Sequence, residues 1–362
     1  MVENGKISPS QFTLLTILLN LGGNILVVPS MLAGTAKQDS WIAGSLCLAI
    51  GLVLVWLYTR LGECFANMTL IEINEKLFGK WIGTLISIYY LIIFITTGAG
   101  TIRNVSDFLA TQIIPETPIL YIASLFVVVV VMGASLGLET FSRAAEIFFP
   151  WIALLFFILF ALLLPEINIE HIQPVLGDGF KPIVEGIYAL IGYPFLQNVA
   201  LLMIFPYVNR IPKAKQAFYV GTWIGGGLLV LLATFSILIL GVETSARHIY
   251  STYTLARKIN VGDFIQRIEA VVTGIWLLSV FFKATILLYG TCLGLNQIIN
   301  LKDYRKLTFP FGIVLVIGSI LYGPNNVFIS NFHKNILPIL VSISGLFLPL
   351  LSLVIARFRS LP

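Results

Sequence analysis

One lysine stands inside an otherwise apolar segment of the chain. Lys283 lies in the run from Val280 to Tyr289, far from the charged residues at either end of its segment. A charge at the centre of a membrane helix costs about 2.5–3.5 kcal/mol on insertion scales, so Lys283 is expected to face a cavity or a partner. There it can serve as a fixed cation, a hydrogen-bond donor or a titrating group. A purely structural role, in which the ammonium reaches a neighbouring carbonyl, stays open.

Two apolar segments carry helix-breaking residues near their middle, each with a proline close by. These residues are Gly22, Gly23 and Asn24 in the first segment and Gly192 and Tyr193 in the second. Loosened backbone is tolerated in lipid only where it is buried in protein or lines a cavity. Matched breaks in the two halves of a chain point to a substrate site in inverted-repeat transporters, where half-helix N-termini favour an anionic group such as a carboxylate. For either break alone, a simple kink or close helix packing stays open.

Further polar candidates lie near these positions. Thr97 and Gly98 belong to a small-residue run that more often indicates close helix packing but can also leave room for a ligand. Thr285 and Tyr289 lie within two turns of Lys283. We therefore include all four among the candidate ligand-binding residues.

The remaining titratable residues give no catalytic signal. Arg103 and Asp107 are four residues apart near the end of a predicted span and are expected to pair. The three cysteines are unclustered, which indicates neither a disulfide framework nor a zinc site. The histidines are interpreted as surface residues of loops: His171, His248 and His333. No nucleophile–base pair, metal motif or phosphate loop is present, so we predict no catalytic residue, no metal site, no cofactor and no enzyme activity.

The composition is that of a polytopic helical membrane protein. The 362 residues are 58% hydrophobic and 11% charged, with a mean hydropathy of +0.95, whereas a soluble domain carries roughly 25% charged residues. The apolar runs are continuous rather than alternating, which excludes a barrel. The net charge of +5 comes from loops between apolar segments, so we expect a lipid bilayer and no nucleic acid as the surroundings. The polar N-terminus shows no secretory signal peptide.

Ten spans are predicted, since each needs about 20 apolar residues. The first is long for one helix but right for two half-helices. The predicted spans are 10–36, 41–58, 82–110, 119–136, 144–164, 182–207, 217–240, 268–299, 309–322 and 337–356. An amphipathic segment, 70–80, is placed along the cytoplasmic surface. A polar stretch, 243–267, which includes Tyr250, Tyr253 and Ile259, is interpreted as one or two short helices on the outer face.

The spans divide into two sets of five within a single membrane domain, 1–362. The predicted fold is all-α, with repeats at 10–164 and 182–356, related by inversion, and a broken first helix in each. With the N-terminus inside, thirteen of the 22 lysines and arginines fall on the inner side and eight on the outer side, and Lys283 is the remaining one. The excess on the inner side, concentrated in short loops, predicts that both termini are cytoplasmic.

Several of these residues carry a resemblance to a known family. The ten spans, the Gly22-Gly23-Asn24 break, the surface segment from Leu70 to Gly83 and the Ile204-Phe205-Pro206-Tyr207-Val208 run resemble the B subunits of bacterial spore germinant receptors. These belong to the amino acid/polyamine/organocation permease superfamily. The resemblance covers essentially the whole chain. The sixth span of many relatives has an acidic residue shortly after the break, and Gln197 stands there instead.

The resemblance implies a small-molecule germinant site between the first, third, sixth, eighth and tenth helices. It also implies assembly with an A subunit and a C-subunit lipoprotein in the inner spore membrane. We therefore predict a nutrient-sensing subunit that binds an amino acid or similar small molecule at the midplane, between the two breaks. An amino-acid permease coupled to protons or sodium uses the same pocket and stays the alternative. The predicted ligand-binding residues are Gly22, Gly23, Asn24, Thr97, Gly98, Gly192, Tyr193, Lys283, Thr285 and Tyr289.

Overall fold

The structure, a computed structural model, describes residues 5–258 and 268–359 of the chain. Within these ranges the regular secondary structure is helical, apart from an isolated bridge between Ile7 and Val208. The α-helices are α1 (Pro9–Leu21), α2 (Val28–Ala36), α3 (Ser40–Cys64), α4 (Leu70–Gln112), α5 (Ile119–Leu136), α6 (Leu138–Leu163), α7 (Lys181–Ile191), α8 (Ile211–Arg247), α9 (Ser251–Lys258), α10 (Ile268–Ile299), α11 (Arg305–Leu321), α12 (Asn326–Asn331), α13 (Leu337–Ser342) and α14 (Leu348–Phe358).

Within the described residues the helices form ten spans. Eight segments of the described ranges are long and apolar enough to cross a membrane, and one of them, Val28–Cys64, joins α2 to α3. The helices α1 and α11 are shorter, with 13 and 17 residues. The first span is α1 with α2, the second is α3 and the ninth is α11. This confirms the predicted all-α architecture with a broken first and a broken sixth span.

Two helix starts follow directly from capping signals in the sequence. The Ser8 hydroxyl accepts from the Gln11 amide at 3.1 Å, and the Gln11 side chain accepts from the Ser8 amide at 2.8 Å. Thr69 and Glu72 make the same reciprocal pair at the start of α4. Each pair satisfies two backbone donors that a helix start would leave open. The residues before α1 and α4 therefore fix where these helices begin.

The first break lies where the glycines are. Helix α1 ends at Leu21, and Gly23 has a φ of 80°, a conformation that side chains with a Cβ rarely adopt. The turn that follows is closed by backbone hydrogen bonds between nearby residues. In one of them the Asn24 amide donates to the Leu21 carbonyl at 2.9 Å. Helix α2 starts at Val28, with Pro29 in its first turn. The interruption leaves loosened backbone in the interior of the bundle.

The second break leads into a different kind of helix. Helix α7 ends at Ile191, and the chain resumes at Leu196–Met203 as a 3-10 helix of eight residues, a winding that the predicted break did not include. Runs of 3-10 helix longer than 3–4 residues are uncommon, and inside a helix they often mark a hinge or strain. The sixth span is therefore wound more tightly beyond its break than an α-helix.

Glycine kinks separate the surface segments from the spans. The first turns of α4, from Leu70, end at Gly79, whose φ of 78° breaks the helix before the third span begins. Gly241 kinks α8 in the same way, and the chain beyond it forms the tail of α8 and α9 (Ser251–Lys258). This agrees with the short helices predicted for 243–267. The predicted segment from Ile259 to Arg267 lies outside the described residues.

Four spans begin several residues earlier in the sequence than predicted. Helix α6 begins at Leu138 rather than at residue 144, α8 begins at Ile211 rather than at residue 217, and α11 begins at Arg305 rather than at residue 309. The tenth span begins at Asn326, eleven residues before the predicted start at 337, and contains two π-helical turns, Phe332–Ile336 and Ile343–Phe347. The first turns of these helices contain polar residues, so hydropathy alone placed the helix starts too late.

The interior of the bundle is built from the broken spans and α10. In their most apolar windows, 83% of the sixth span and 72% of α10 are buried, against 22% for α6 and 33% for α5. Helix α1 packs between α8 and α10, and α4 packs against α10 and α5. The sixth and eighth spans are thus enclosed by protein, so a polar group on them faces other helices and not lipid.

Candidate functional site

The two breaks are joined by a chain of buried amides. The Asn24 side chain donates to the Asn20 carbonyl at 2.6 Å, and the Asn198 side chain donates to the Asn20 side-chain oxygen at 3.3 Å. Asn20 in turn donates to the Thr16 carbonyl at 2.8 Å. Because buried amides need partners, these bonds hold the first and sixth spans in register beside their breaks.

A small cavity of about 20 Å³ lies beside the two breaks. We call it the central cavity. A cavity needs about 10–15 Å³ to hold one water molecule, so this one has room for little more than a single water. Five of the predicted ligand-binding residues line it: Gly23, Asn24, Thr97, Tyr193 and Lys283. The other lining residues are Gly100, Thr101, Asn104, Gln197, Tyr322, His333 and Leu337.

Lys283 reaches this cavity from α10. Its side chain is 3% exposed, and its Nζ would lie 3.9 Å from a Cβ built on Gly23. Within the described ranges, no hydrogen bond or ion pair satisfies the ammonium. An unpaired charge in such a place is expected to serve a ligand or cavity water. The structure thus places the predicted lysine beside the first break.

Two buried acceptors share the cavity with this lysine. Thr97 and Gln197 are 7% and 6% exposed, and both line the cavity. The Gln197 side-chain nitrogen donates to the Gly192 carbonyl at 3.1 Å, while its Oε1 and the Thr97 Oγ1 have no partner among the described residues. A buried polar atom without a partner costs about 1–3 kcal/mol. The central cavity therefore holds one donor group and two acceptors that a ligand would satisfy.

Three predicted glycines lie beside the cavity but serve the packing of helices. A Cβ on Gly22 would lie 2.5 Å from the Ser279 carbonyl oxygen, so the absence of a side chain lets α1 approach α10. A Cβ on Gly98 would point at Leu315 of α11, 3.0 Å away. A Cβ on Gly192 would point at the tenth span, 3.2 Å from Val341. None of the three lines the central cavity.

Thr285 and Tyr289 point away from the central cavity. The Thr285 methyl group would lie 3.2 Å from a Cβ on Gly133 of α5. The Tyr289 ring packs edge-on against Phe141 and Tyr304, with centroid distances of 5.6 and 5.4 Å. The structure does not bring these two residues to Lys283.

His333 corrects the interpretation of the histidines as surface residues of loops. It is half-buried in a π-helical turn of the tenth span and lines the cavity, because that span begins at Asn326. His171 also departs from the prediction, since it is half-buried and its Nδ1 lies 2.9 Å from the Leu238 carbonyl oxygen. His248 is exposed as predicted.

Three aromatic side chains cover the central cavity, and we call them the aromatic lid. The Tyr322 hydroxyl is hydrogen-bonded to the His333 Nε2 at 2.8 Å, and the Tyr193 and His333 rings meet edge-on at 5.5 Å. Tyr193 and His333 also line a second cavity on the other side of the lid. The lid therefore separates the two cavities.

Gly100 makes room for the lid, which gives a first prediction. A Cβ on Gly100 would lie 2.6 Å from the Tyr322 ring, so Gly100→Ala is expected to push this ring off its hydrogen bond to His333. Opening the lid should raise the rate at which a thiol reagent modifies Thr97→Cys in a background without the native cysteines. Gly98→Ala is the matched control, because its methyl group would point at α11. Equal rates in the two variants would contradict this role of Tyr322.

The second cavity, which we call the vestibule, measures about 300 Å³. It lies along α2, near the ends of α4 and α8 and at the start of the tenth span. Its lining residues are Val27, Ser30, Met31, Gly34, Thr35, Asn104, Asp107, Ala189, Tyr193, Ala246, Ile249, Tyr250, Ile329, His333 and Lys334. With Asn104, Tyr193 and His333 common to both linings, the vestibule is the larger space next to the central cavity.

One wall of the vestibule contains a buried ion pair. The Arg103 Nε donates to both carboxylate oxygens of Asp107 at 2.9 Å, which confirms the predicted pair. The Arg103 Nη1 also donates to the Gly323 and Ser319 carbonyls beyond and within the last turn of α11, at 3.0 and 3.3 Å. A cation is favourable at the C-terminus of a helix. Arg103 thus ties α4 to the end of α11.

A bundle of ten spans, with interrupted first and sixth spans around a small polar cavity, is the architecture of a transporter-type membrane protein. The family comparison is more specific: residues 6–327 match the family described as "Spore germination protein". The chain belongs to this family. Spore germination protein KB of Bacillus subtilis (strain 168) is 28% identical, over 99% of this chain and 96% of that protein. Spore germination protein GerQB of Bacillus cereus is 23% identical, over 90% of this chain and 89% of that protein.

Solved structures of transporters share the fold. The structure of MhsT in complex with L-phenylalanine superposes with a TM-score of 0.69, covers 98% of this chain and 90% of MhsT, and is 17% identical. A Na+-coupled sialic acid symporter in a substrate-bound outward-open state gives a TM-score of 0.66, with 94% of this chain and 79% of the symporter covered, at 11% identity. At these identities the likeness concerns the fold alone.

Proposed function

We propose that this chain is the nutrient-sensing membrane subunit of a spore germination receptor and that it binds an amino acid or a similar small zwitterion in the central cavity. The observation that carries the proposal is the meeting of three unsatisfied polar groups between the two breaks. These are the Lys283 ammonium, the Thr97 hydroxyl oxygen and the Gln197 amide oxygen. Membership of the spore germination protein family supports the sensing role.

The chemistry of the three groups matches the two ends of an amino acid. The Lys283 ammonium, beside the loosened backbone at Gly23, is suited to a carboxylate. The oxygens of Thr97 and Gln197 can accept from a ligand ammonium. Gln197 is uncharged, so this end of the site relies on hydrogen bonds. Since the cavity of about 20 Å³ is too small for an amino acid, binding requires the aromatic lid and the breaks to move.

The partners and location rest on the same family argument. We infer assembly with an A subunit and a C-subunit lipoprotein in the inner spore membrane. The support is membership of a family whose named relatives are spore germination proteins. The two five-helix repeats, 10–164 and 182–356, remain our proposal for the organisation of the single membrane domain.

The experiment compares binding with transport. The full-length chain would be reconstituted into proteoliposomes, and each common L-amino acid in labelled form would be tested for bound and for internalised label. We expect saturable binding of at least one amino acid without accumulation, and loss of the matching germination response in spores that lack this chain. Binding with accumulation would favour the alternative, a proton- or sodium-coupled permease, which the transporter fold of MhsT and the sialic acid symporter supports. If no amino acid binds to the chain, both the sensing function and the permease function are contradicted.

The topology gives a second prediction. From the excess of lysine and arginine on one side, we expect both termini and the 210–215 loop to be cytoplasmic. Arg210 and Lys213 are accessible for this test, since Arg210 is exposed just before α8 and Lys213 is exposed in its first turn. Single cysteines at these positions should react with an impermeant thiol reagent only when the inner side is opened. If the reagent labels these cysteines in intact cells, the loop lies on the outer side and the predicted topology is wrong.

A further inference from the structure

The vestibule has the size and lining of a ligand site in its own right. Its volume of about 300 Å³ is at the lower limit of the roughly 300–1,000 Å³ of small-molecule sites, whereas the central cavity holds about 20 Å³. The aromatic lid lies between the two. A molecule can therefore occupy the vestibule while the central cavity is too small to hold it.

Charges of both signs line the vestibule from different spans. Asp107 projects from α4 with its side chain 10% exposed, while Lys334 is exposed in the tenth span. Lys334 makes no ion pair or hydrogen bond within the part of the chain that the structure describes. The Arg103 Nε occupies one site on each Asp107 oxygen, and a carboxylate offers about four lone-pair sites. Each charge can thus bind a further group of opposite sign.

The space between the charges is partly apolar. Met31 and Ile249 line it, together with Ile329 of the tenth span. Gly34 of α2 leaves open space, since a Cβ on it would meet no atom within 4 Å. An apolar lining with a few placed polar groups is typical of a small-molecule site.

We propose that the vestibule is a second binding site, for a zwitterion of the amino-acid class. Asp107 binds the ligand ammonium, Lys334 binds its carboxylate, and the ligand side chain lies against Met31 and Ile249. A simple amine or a simple carboxylate uses only one of the two charges and binds more weakly. The proposal rests on the vestibule alone and holds whether or not the central cavity binds the same ligand.

The test uses a reporter cysteine in the full-length chain. Gly34→Cys, in a background with Cys47, Cys64 and Cys292 replaced by alanine, would be reacted with a thiol reagent in the presence of each common L-amino acid, methylammonium or acetate. Occupancy should slow the reaction by the factor one plus concentration over Kd, so about tenfold near ten times Kd. We expect this protection from at least one amino acid, and little from methylammonium or acetate. Glu116→Cys, an exposed position in the loop after α4, should show none.

Charge variants decide whether the site is the one proposed. Lys334→Gln should abolish the protection, and Lys181→Gln, a matched change of an exposed lysine at the start of α7, should leave it intact. Asp107→Asn should also abolish it, but Lys334→Gln suffices if the buried pair with Arg103 proves essential for folding. Protection should survive Lys283→Met, which disables the central cavity. Loss of protection in Lys283→Met, retention in Lys334→Gln, or no protection by any amino acid would overturn the proposal.

Discussion

Replacing Lys283 with methionine is expected to abolish the response to nutrient while leaving the protein in the membrane at its normal level. Methionine fills a similar space in α10 and removes an insertion cost of about 2.5–3.5 kcal/mol. The change removes the ammonium that faces the central cavity. A hydrogen bond to a charged group contributes roughly 1.5–3 kcal/mol, so ligand binding should weaken about 10–100-fold. Germination of spores that carry the variant, with the protein level measured in parallel, is the readout.

Two further variants sharpen this result. Lys283→Arg should also impair the response, because a planar guanidinium does not fit the place of a compact ammonium in a cavity of about 20 Å³. Lys302→Met removes an exposed lysine just after α10, and spores that carry it should germinate like the wild type. A normal response from Lys283→Met at a normal protein level would leave Lys283 with a structural role only.

The spans and the breaks could be predicted because they depend on local sequence features. Composition identified the membrane class, and the glycines and prolines located both interruptions, because these residues change the backbone wherever they stand. Helix α5 and helix α10 have the predicted bounds. The 3-10 winding of Leu196–Met203 was not foreseen, because it depends on how the sixth span packs against its neighbours.

The lining of the central cavity was only partly predictable. Thr285 was predicted to bind ligand, but it is two residues from Lys283, about 200° around the helix at 100° per residue, so helix periodicity alone would have excluded it. Tyr322 and His333 come from other helices, and nothing local in the sequence shows that their rings meet. His333 was interpreted as a loop residue because polar residues surround it. Such residues are compatible with a span when they line a cavity and do not face lipid.

Replacing Arg103 with methionine is expected to cause the largest loss of folded protein. The side chains of Arg103 and Asp107 are 9% and 10% exposed, and the guanidinium also holds carbonyls at the end of α11. Removing one partner of a buried ion pair costs about 3–5 kcal/mol, because the other charge stays buried without a partner. A whole protein is stable by only about 5–15 kcal/mol. The measurement is thermal unfolding of the purified chain in detergent, together with the yield of monodisperse protein.

A control substitution in an exposed ion pair and a double variant test the cause of this loss. Arg143→Met removes an exposed arginine with the same spacing, i and i+4, from its partner Glu139, and such surface pairs contribute only about 0–1 kcal/mol. It should therefore unfold like the wild type. Arg103→Met combined with Asp107→Leu should be more stable than Arg103→Met alone, since an apolar pair leaves no buried charge. If the double variant is as unstable as the single one, the contacts of Arg103 with α11, and not its pairing with Asp107, hold this end of the bundle together.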